Sequence, residues 1–357
     1  MSRIHMVLWI GFTILLAGCT EESGPTNPKP TDPPLYGALV TPRVSDEADP
    51  LLVDAYQALD VDGGQIGHLA LSWAAVEQGA TTRDWSRLDP HVEQARRRDM
   101  KLSVVVEFIH GGEGEAPAWR WPVFPDWDDP GLLAGLSSFL RELAFRADGT
   151  IAYLWLGEGP DRHAALYAGN DAQIEAFYAA IADSARAVFP TAAIGTMITP
   201  ALLEQDGKEA LVRTILESLD LIGLSLYVAK DGDSFPVPAA ALEWMKQAIA
   251  PWQSGRFAVL EAGYPSGAAV GSSEETQAEF VTLVGSWLFD RPTTLELFCW
   301  SPGIDPSSEL APDLAIRRFP NDGDAQGAFA EELRSMALRR LDGSPKLGRQ
   351  AWIEARP

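Results

Sequence analysis

Eight short apolar runs, each followed by a polar turn and a stretch of helical period, predict an α/β protein built as a (β/α)8 TIM barrel. Two further observations carry that reading. Several runs are continuous rather than alternating, as parallel strands covered on both faces require. The segments between them repeat their apolar residues at 3.6-residue spacing. An open doubly wound sheet is the main rival, but it usually has fewer strands, and no GxGxxG follows the first strand here.

Before the barrel come two segments of another kind. Residues 6–16 form an apolar run too short to span a bilayer, which takes roughly 20 residues. It fits the core of a signal peptide, which predicts residues 1–18 as a cleaved leader. The run ends in "LAGC", which resembles the bacterial lipobox, so Cys19 is expected to carry lipid and to become the mature N-terminus. Thr20 follows it, and by analogy with enteric bacteria a residue other than Asp there favours the outer membrane. Residues 19–34, "CTEESGPTNPKPTDPP", are polar and proline-rich and read as a tether. Residues 35–357 then form the barrel domain. The expected location is the bacterial cell envelope, with the membrane touched through the lipid anchor only.

The strands are expected at 35–42, 66–73, 102–109, 151–157, 192–199, 219–227, 257–264 and 295–300. The clearest helix is "DAQIEAFYAAIADSARAVFP", where Ile174, Phe177, Ile181, Ala185 and Val188 share one face. Asp171 can cap its start and Pro190 ends it. "WSRLDPHVEQARRRD", "LLAGLSSFLRELAFR", "AALEWMKQAIAPW", "ETQAEFVTLVGSWLF" and "GAFAEELRSMALRRL" behave alike, whereas 51–59 and 204–218 are weaker.

Composition narrows the function. A formal net charge of -22 repels nucleic acid, whose binding needs clustered Lys and Arg. Hydrophobic content of 46% over 357 residues supports a large core. Of the two cysteines, Cys299 lies in an apolar run and is expected to be a buried, inert thiol. Two cysteines and five scattered histidines make no zinc site, and the acidic "NDGD" at 321–324 lacks the spacing of a calcium loop. No metal and no cofactor are expected, and a monomer is expected.

In such barrels the active site lies at the C-terminal ends of the strands. Those ends carry Pro42 and Arg43, Trp73, Glu107 and His110, Glu158, Thr199, Tyr227, Glu261 and Tyr264, and Trp300. Carboxylates and aromatic rings dominate, a mixture suited to sugars, whose C–H faces stack on rings while their hydroxyls take polar groups. Trp73, Glu107, Tyr227, Tyr264 and Trp300 are therefore expected to touch a carbohydrate ligand. Trp119, Trp121 and Trp127 follow the third strand on a long loop that could wall one side of a groove.

"AVLEAGYPSG" closely resembles the strand-seven "EhGYPS" motif (h, apolar) of several families in clan A, the retaining glycoside hydrolases built on (β/α)8 barrels. "SWAAVEQGATTRDWSRLD" and "LDGSPKLGRQAW" resemble weaker motifs of the same clan, and the likeness spans roughly residues 35 to 355. The resemblance implies that Glu261 is the catalytic nucleophile and that Trp300 lies beneath the sugar ring. "YLWLGEGPD" stands where the clan carries its Asn-Glu pair, commonly "IGNEPD". Aligned without gaps, Glu158 falls on the Asn and Gly159 on the acid/base Glu. A glycine cannot protonate a leaving group, and successive strand residues point oppositely, so Glu158 starts on the wrong side. Flanking glycines could let the backbone re-aim it.

Retention requires two carboxyl groups, one attacking carbon and one trading protons. Glu261 and Glu158 are the expected pair, with Glu107, Glu113 and Glu115 next in line. Two readings stand at this point: a surface-anchored glycosidase with a rearranged acid/base, and a non-catalytic sugar-binding lipoprotein. A purely structural envelope lipoprotein is the third class.

Overall fold

The computed structural model describes residues 34–40, 50–167, 171–228, 235–312, 315 and 323–357. The expected leader, Cys19, most of the tether, Pro42 and Arg43 lie outside the described residues.

All eight predicted strands form. In chain order they are β1 (Leu35–Leu39), β2 (Ile66–Ser72), β3 (Lys101–Glu107), β4 (Ile151–Glu158), β5 (Ala193–Ile198), β6 (Leu221–Tyr227), β7 (Phe257–Gly263) and β8 (Leu295–Trp300). Each pairs in parallel with its sequence neighbours, and β8 pairs with β1, so the barrel closes. Among the described residues, the helices that follow the strands include α1 (Pro50–Val61), α2 (Asp89–Arg97), α3 (Pro130–Ala147), α4 (Asp171–Val188), α5 (Glu209–Glu217), α6 (Pro238–Ile249), α7 (Glu274–Phe289) and α8 (Leu347–Ala355). The weak segment at 204–218 resolves into a short helix, Pro200–Asp206, and α5, with Gly207 between them. The expected helix in "GAFAEELRSMALRRL" is Gly323–Leu333, and it lies on the β8-to-α8 connection.

The core has two layers. Inside the barrel, Ile66, Val105, Tyr153, Trp155, Met197, Leu221, Ala258, Leu260, Leu297 and Cys299 fill the lower interior. Outside it, the alternate strand residues pack on the helices, as Leu154 and Leu156 do against the α3 and α4 side. Cys299 is fully buried, as expected, and burial pushes its thiol far above the ordinary range. The C-terminal loop is pinned by a buried ion pair, Lys346 Nζ to Asp305 Oδ2 at 2.6 Å.

Candidate active site

The inner residues of each strand set the lower wall, and two irregular strand ends set the mouth. On β2 the inward parity runs through Ile66 and His68. On β3 it runs through Ser103 and Val105 to Glu107, which is 2% exposed. Trp155 Nε1 donates to Ser103 Oγ at 2.7 Å, and the same oxygen lies 2.9 Å from His68 Nδ1. This polar belt crosses β2, β3 and β4 just below the mouth.

Glu158 departs from simple alternation. Tyr153 and Trp155 face inward, so counting by twos would send Glu158 out to the helices. The pairing of β4 with β5 advances from Trp155↔Gly195 to Glu158↔Met197, three residues against two. That is a one-residue bulge. It is made at Gly157, whose φ of +74° is a left-handed conformation that side chains rarely adopt. Glu158 thereby shares a face with Met197, which belongs to the inner core, and only 8% of it is exposed.

Glu261 reaches the interior by the same device. The pairing of β6 with β7 steps from Leu224↔Val259 to Ser225↔Glu261, leaving Leu260 as the extra residue. Leu260 packs in the inner core, and Glu261 follows it inward, where it accepts a hydrogen bond from Ser225 Oγ at 2.6 Å.

Between Glu107 and Glu158 stands His110. After β3 the chain makes a two-residue hairpin, with Ile109–His110 antiparallel to Glu113–Gly114. Gly111 and Gly112, at φ of +56° and +87°, supply the two left-handed residues that such a turn needs. His163 Nδ1 lies 2.9 Å from Gly112 O and buttresses the turn. The hairpin carries His110 Nδ1 to 2.9 Å from Glu107 Oε1 and 3.1 Å from Glu158 Oε2. Burial opposes a charge on this imidazole, but the two carboxylates outweigh it and hold the ring well above its ordinary pKa. His68 behaves oppositely. Burial lowers it to about 4, so it is neutral at pH 7.

The other expected ligand contacts divide. Tyr227 is half-buried at the mouth, its hydroxyl 2.6 Å from Ser301 Oγ and its ring edge-on to Phe329. Trp73, Tyr264 and Trp300 are each at most 3% exposed and belong to the outer layer. Trp73 donates to Glu77 Oε2, Tyr264 to Pro236 O, and Trp300 to Met336 O, so each has its polar group satisfied within the wall. Trp300 packs on Phe280, Phe298 and Trp352. On β8 it is Leu297 and Cys299 that face inward, and Trp300 has the opposite parity. On the loop after β3, Trp121 and Trp127 pack into the wall and Trp119 is 43% exposed.

His68 was not singled out from the sequence, although an ionisable residue inside the apolar run "IGHLALS" was the available signal. Among the described residues no group of three or more His, Cys, Asp and Glu is arranged to hold a metal ion.

No protein-family model matches the chain. No curated protein matches it by sequence. Solved structures do match in fold. An exo-β-1,4-mannosidase from the Opitutaceae bacterium strain TAV5 superposes with a TM-score of 0.68 at 15% identity, over 90% of this chain and 58% of that one. A GH5_18 protein from Streptomyces cattleya, solved in complex with GlcNAc, gives 0.63 at 17% identity over 90% and 79%. The native xylanase 10B from Thermotoga maritima gives 0.58 at 12% identity over 90% and 94%. This chain thus spans little more than half of the mannosidase's length. The likeness is one of fold: a closed, eight-stranded parallel barrel of the kind glycoside hydrolases use.

Proposed function

We propose that the barrel binds an oligo- or polysaccharide at its strand C-terminal mouth and hydrolyses it with retention, with Glu261 as nucleophile and Glu158 as acid/base. One observation carries this reading: β4 and β7 each carry a one-residue bulge, and each bulge turns a glutamate from the helical layer into the barrel. Structure-matched proteins that include a mannosidase and a xylanase support sugar as the ligand class. In a retaining mechanism Glu261 attacks the anomeric carbon while Glu158 protonates the departing oxygen. Glu158 then takes a proton from the water that cleaves the glycosyl ester. Ser225 Oγ donates to one Glu261 oxygen at 2.6 Å and helps to orient the carboxylate. Tyr227 lies at the mouth, where a ring can meet the sugar.

The test uses activated aryl mannosides, xylosides and glucosides, with intact mass as the readout. A glycosyl adduct that is absent in Glu261→Gln identifies the nucleophile. In Glu158→Gln, turnover of unactivated glycans should fall roughly 10²–10⁴-fold, and azide should restore turnover of the activated ones. No adduct and no turnover with any sugar would sink the enzyme.

A second reading has its own support. His110 lies against Glu158, and a neighbouring cation favours the ionised carboxylate, which cannot donate a proton. On that reading the mouth binds sugar without cleaving it. A glycan array that finds ligands for a chain inert toward every activated glycoside would favour it.

We also propose that Cys19 anchors the barrel to the envelope membrane, on the strength of "LAGC" after a short apolar run. Incorporation of a fatty-acid label that persists in Cys19→Ser would remove the anchor.

A further inference from the structure

Resting on the reading of Glu158 as acid/base, we propose that His110 is a positioning residue through which Glu107 sets the protonation of Glu158. The three side chains form a carboxylate–imidazolium–carboxylate chain across β3, its hairpin and β4. The geometry is specific. One nitrogen, His110 Nδ1, faces both carboxylates, at 2.9 and 3.1 Å. Both ring nitrogens are buried and neither has a hydrogen-bond partner of good geometry among the described residues, so the two contacts at Nδ1 are ionic and act through charge. The hairpin that carries it is fixed by paired left-handed glycines and by His163. Glu107 is 2% exposed and lies on the inward parity of β3, so it cannot trade His110 for water.

The charges explain why a third member is needed. A lone imidazolium beside Glu158 would hold that carboxylate ionised and unfit to act as an acid. A lone Glu107 beside it would resist its ionisation. Together, Glu107 and His110 form a neutral pair, and Glu158 can pass between its charged and neutral forms. Other charged groups act on the chain from further off. Glu113 stands opposite His110 in the hairpin, its carboxylate taken by the Tyr167 hydroxyl. Glu115 is held by Ser72 on β2, Asp161 follows β4, and neutral His68 lies across the polar belt. Arg162 faces Asp206.

In the first half-reaction the Glu158 proton passes to the glycosidic oxygen, the C1–O bond breaks and the Glu261–C1 ester forms. In the second, Glu158 takes a proton from water as the water oxygen bonds to C1 and the ester opens. His110 keeps its own proton throughout.

Two substitutions push Glu158 in opposite directions, which a merely structural role would not do. His110→Asn leaves Glu107 as the near charge and should raise the Glu158 midpoint. Glu107→Gln leaves the imidazolium and should lower it. Each shift should be about one pH unit or more. The measurement is a carboxyl ¹³C titration of the full chain with labelled glutamate, the Glu158 signal being the one lost in Glu158→Gln. His110→Gln serves if the Asn variant does not fold. A Glu158 midpoint that is unmoved, or moved the same way by both changes, overturns the inference. The alkaline limb of kcat/KM on an unactivated glycan should follow the same two directions. Turnover with an unmoved limb also overturns the inference. Opposite shifts in a chain that turns over no glycoside would leave the charge chain standing and remove the enzymatic reading instead.

Discussion

Replacing Gly157 by Ala should damage the site through backbone alone. An L-residue in the left-handed region costs about 1–2 kcal/mol. At Gly157 a Cβ would also lie 3.1 Å from the Tyr178 hydroxyl and 3.4 Å from Phe108 Cζ. Both rings are fully buried, and Tyr178 Oη donates to Leu156 O at 3.0 Å, so neither can step aside freely. Overpacking of that kind adds roughly 1–3 kcal/mol. Gly149 is the internal control. It has the same φ of +74°, and nothing lies within 4 Å of its Cβ position. Gly149→Ala should therefore show the conformational cost without the crowding. The strand has one escape, which is to lose the bulge, but that would turn the Glu158 carboxylate into the layer that holds Phe108, Phe177 and Tyr178. Urea denaturation of the two variants measures the stability difference. The His110 imidazole, titrated by NMR, reports whether Glu158 is still beside it, because loss of one carboxylate lowers the ring's pKa. If Gly157→Ala matches Gly149→Ala in stability and His110 titrates as before, the bulge does not depend on glycine and the reasoning fails.

Trp300→Ala should destabilise the fold by about 3–5 kcal/mol, as large-to-small changes in a packed core do, because the ring is 3% exposed among Phe280, Phe298 and Trp352. Retained stability in urea together with lost oligosaccharide binding would return Trp300 to the ligand. Asp161→Asn should change how stability depends on pH. Asp161 is 1% exposed, and burial raises its carboxyl from 3.8 to about 6, with Asp206 and Glu158 adding to the shift. A folded pKa above the unfolded one gives stability that is complete below about pH 4 and is lost as pH rises through 6. The shift of about two units corresponds to about 3 kcal/mol. The Asn variant should therefore gain up to that much over the parent at pH 7.5 and nothing near pH 4. An equal stability gap at both pH values would refute the assignment.

The barrel was legible because its signal is one of length and repetition. Eight apolar runs at intervals survive errors of one or two residues at their ends, and all eight strands appear where the runs lie. Facing was far less legible, for a related reason. Strands covered on both faces are apolar at both parities, so the run "LELFCW" does not say whether Cys299 or Trp300 looks inward. Trp73, Tyr264 and Trp300 stand at strand ends, and the sequence does not say which side of the wall each ring packs on; all three are buried in the outer layer. Polar residues mark the inward parity where they occur. His68 and Ser103 are such marks, and counting by twos from Ser103 leads correctly to Glu107.

Counting by twos fails at Glu158 and Glu261, and it fails at both for one physical reason. An inserted residue adds no apolar character and breaks no run, so a bulge is invisible to hydrophobic pattern unless it needs a residue of unusual backbone freedom. On β4 that residue is Gly157, and "LGEGPD" carried the hint. On β7 the extra residue is Leu260, which is as apolar as its neighbours and gave none. The ungapped alignment that sets Gly159 on an acid/base position assumes that equal places in two strings are equal places in space. A bulge removes that assumption, because one added residue inverts the facing of everything after it. Position along "LGEGPD" therefore does not decide whether the motif is damaged. What the bulge fixes is facing, and on β4 the carboxyl that faces into the barrel belongs to Glu158.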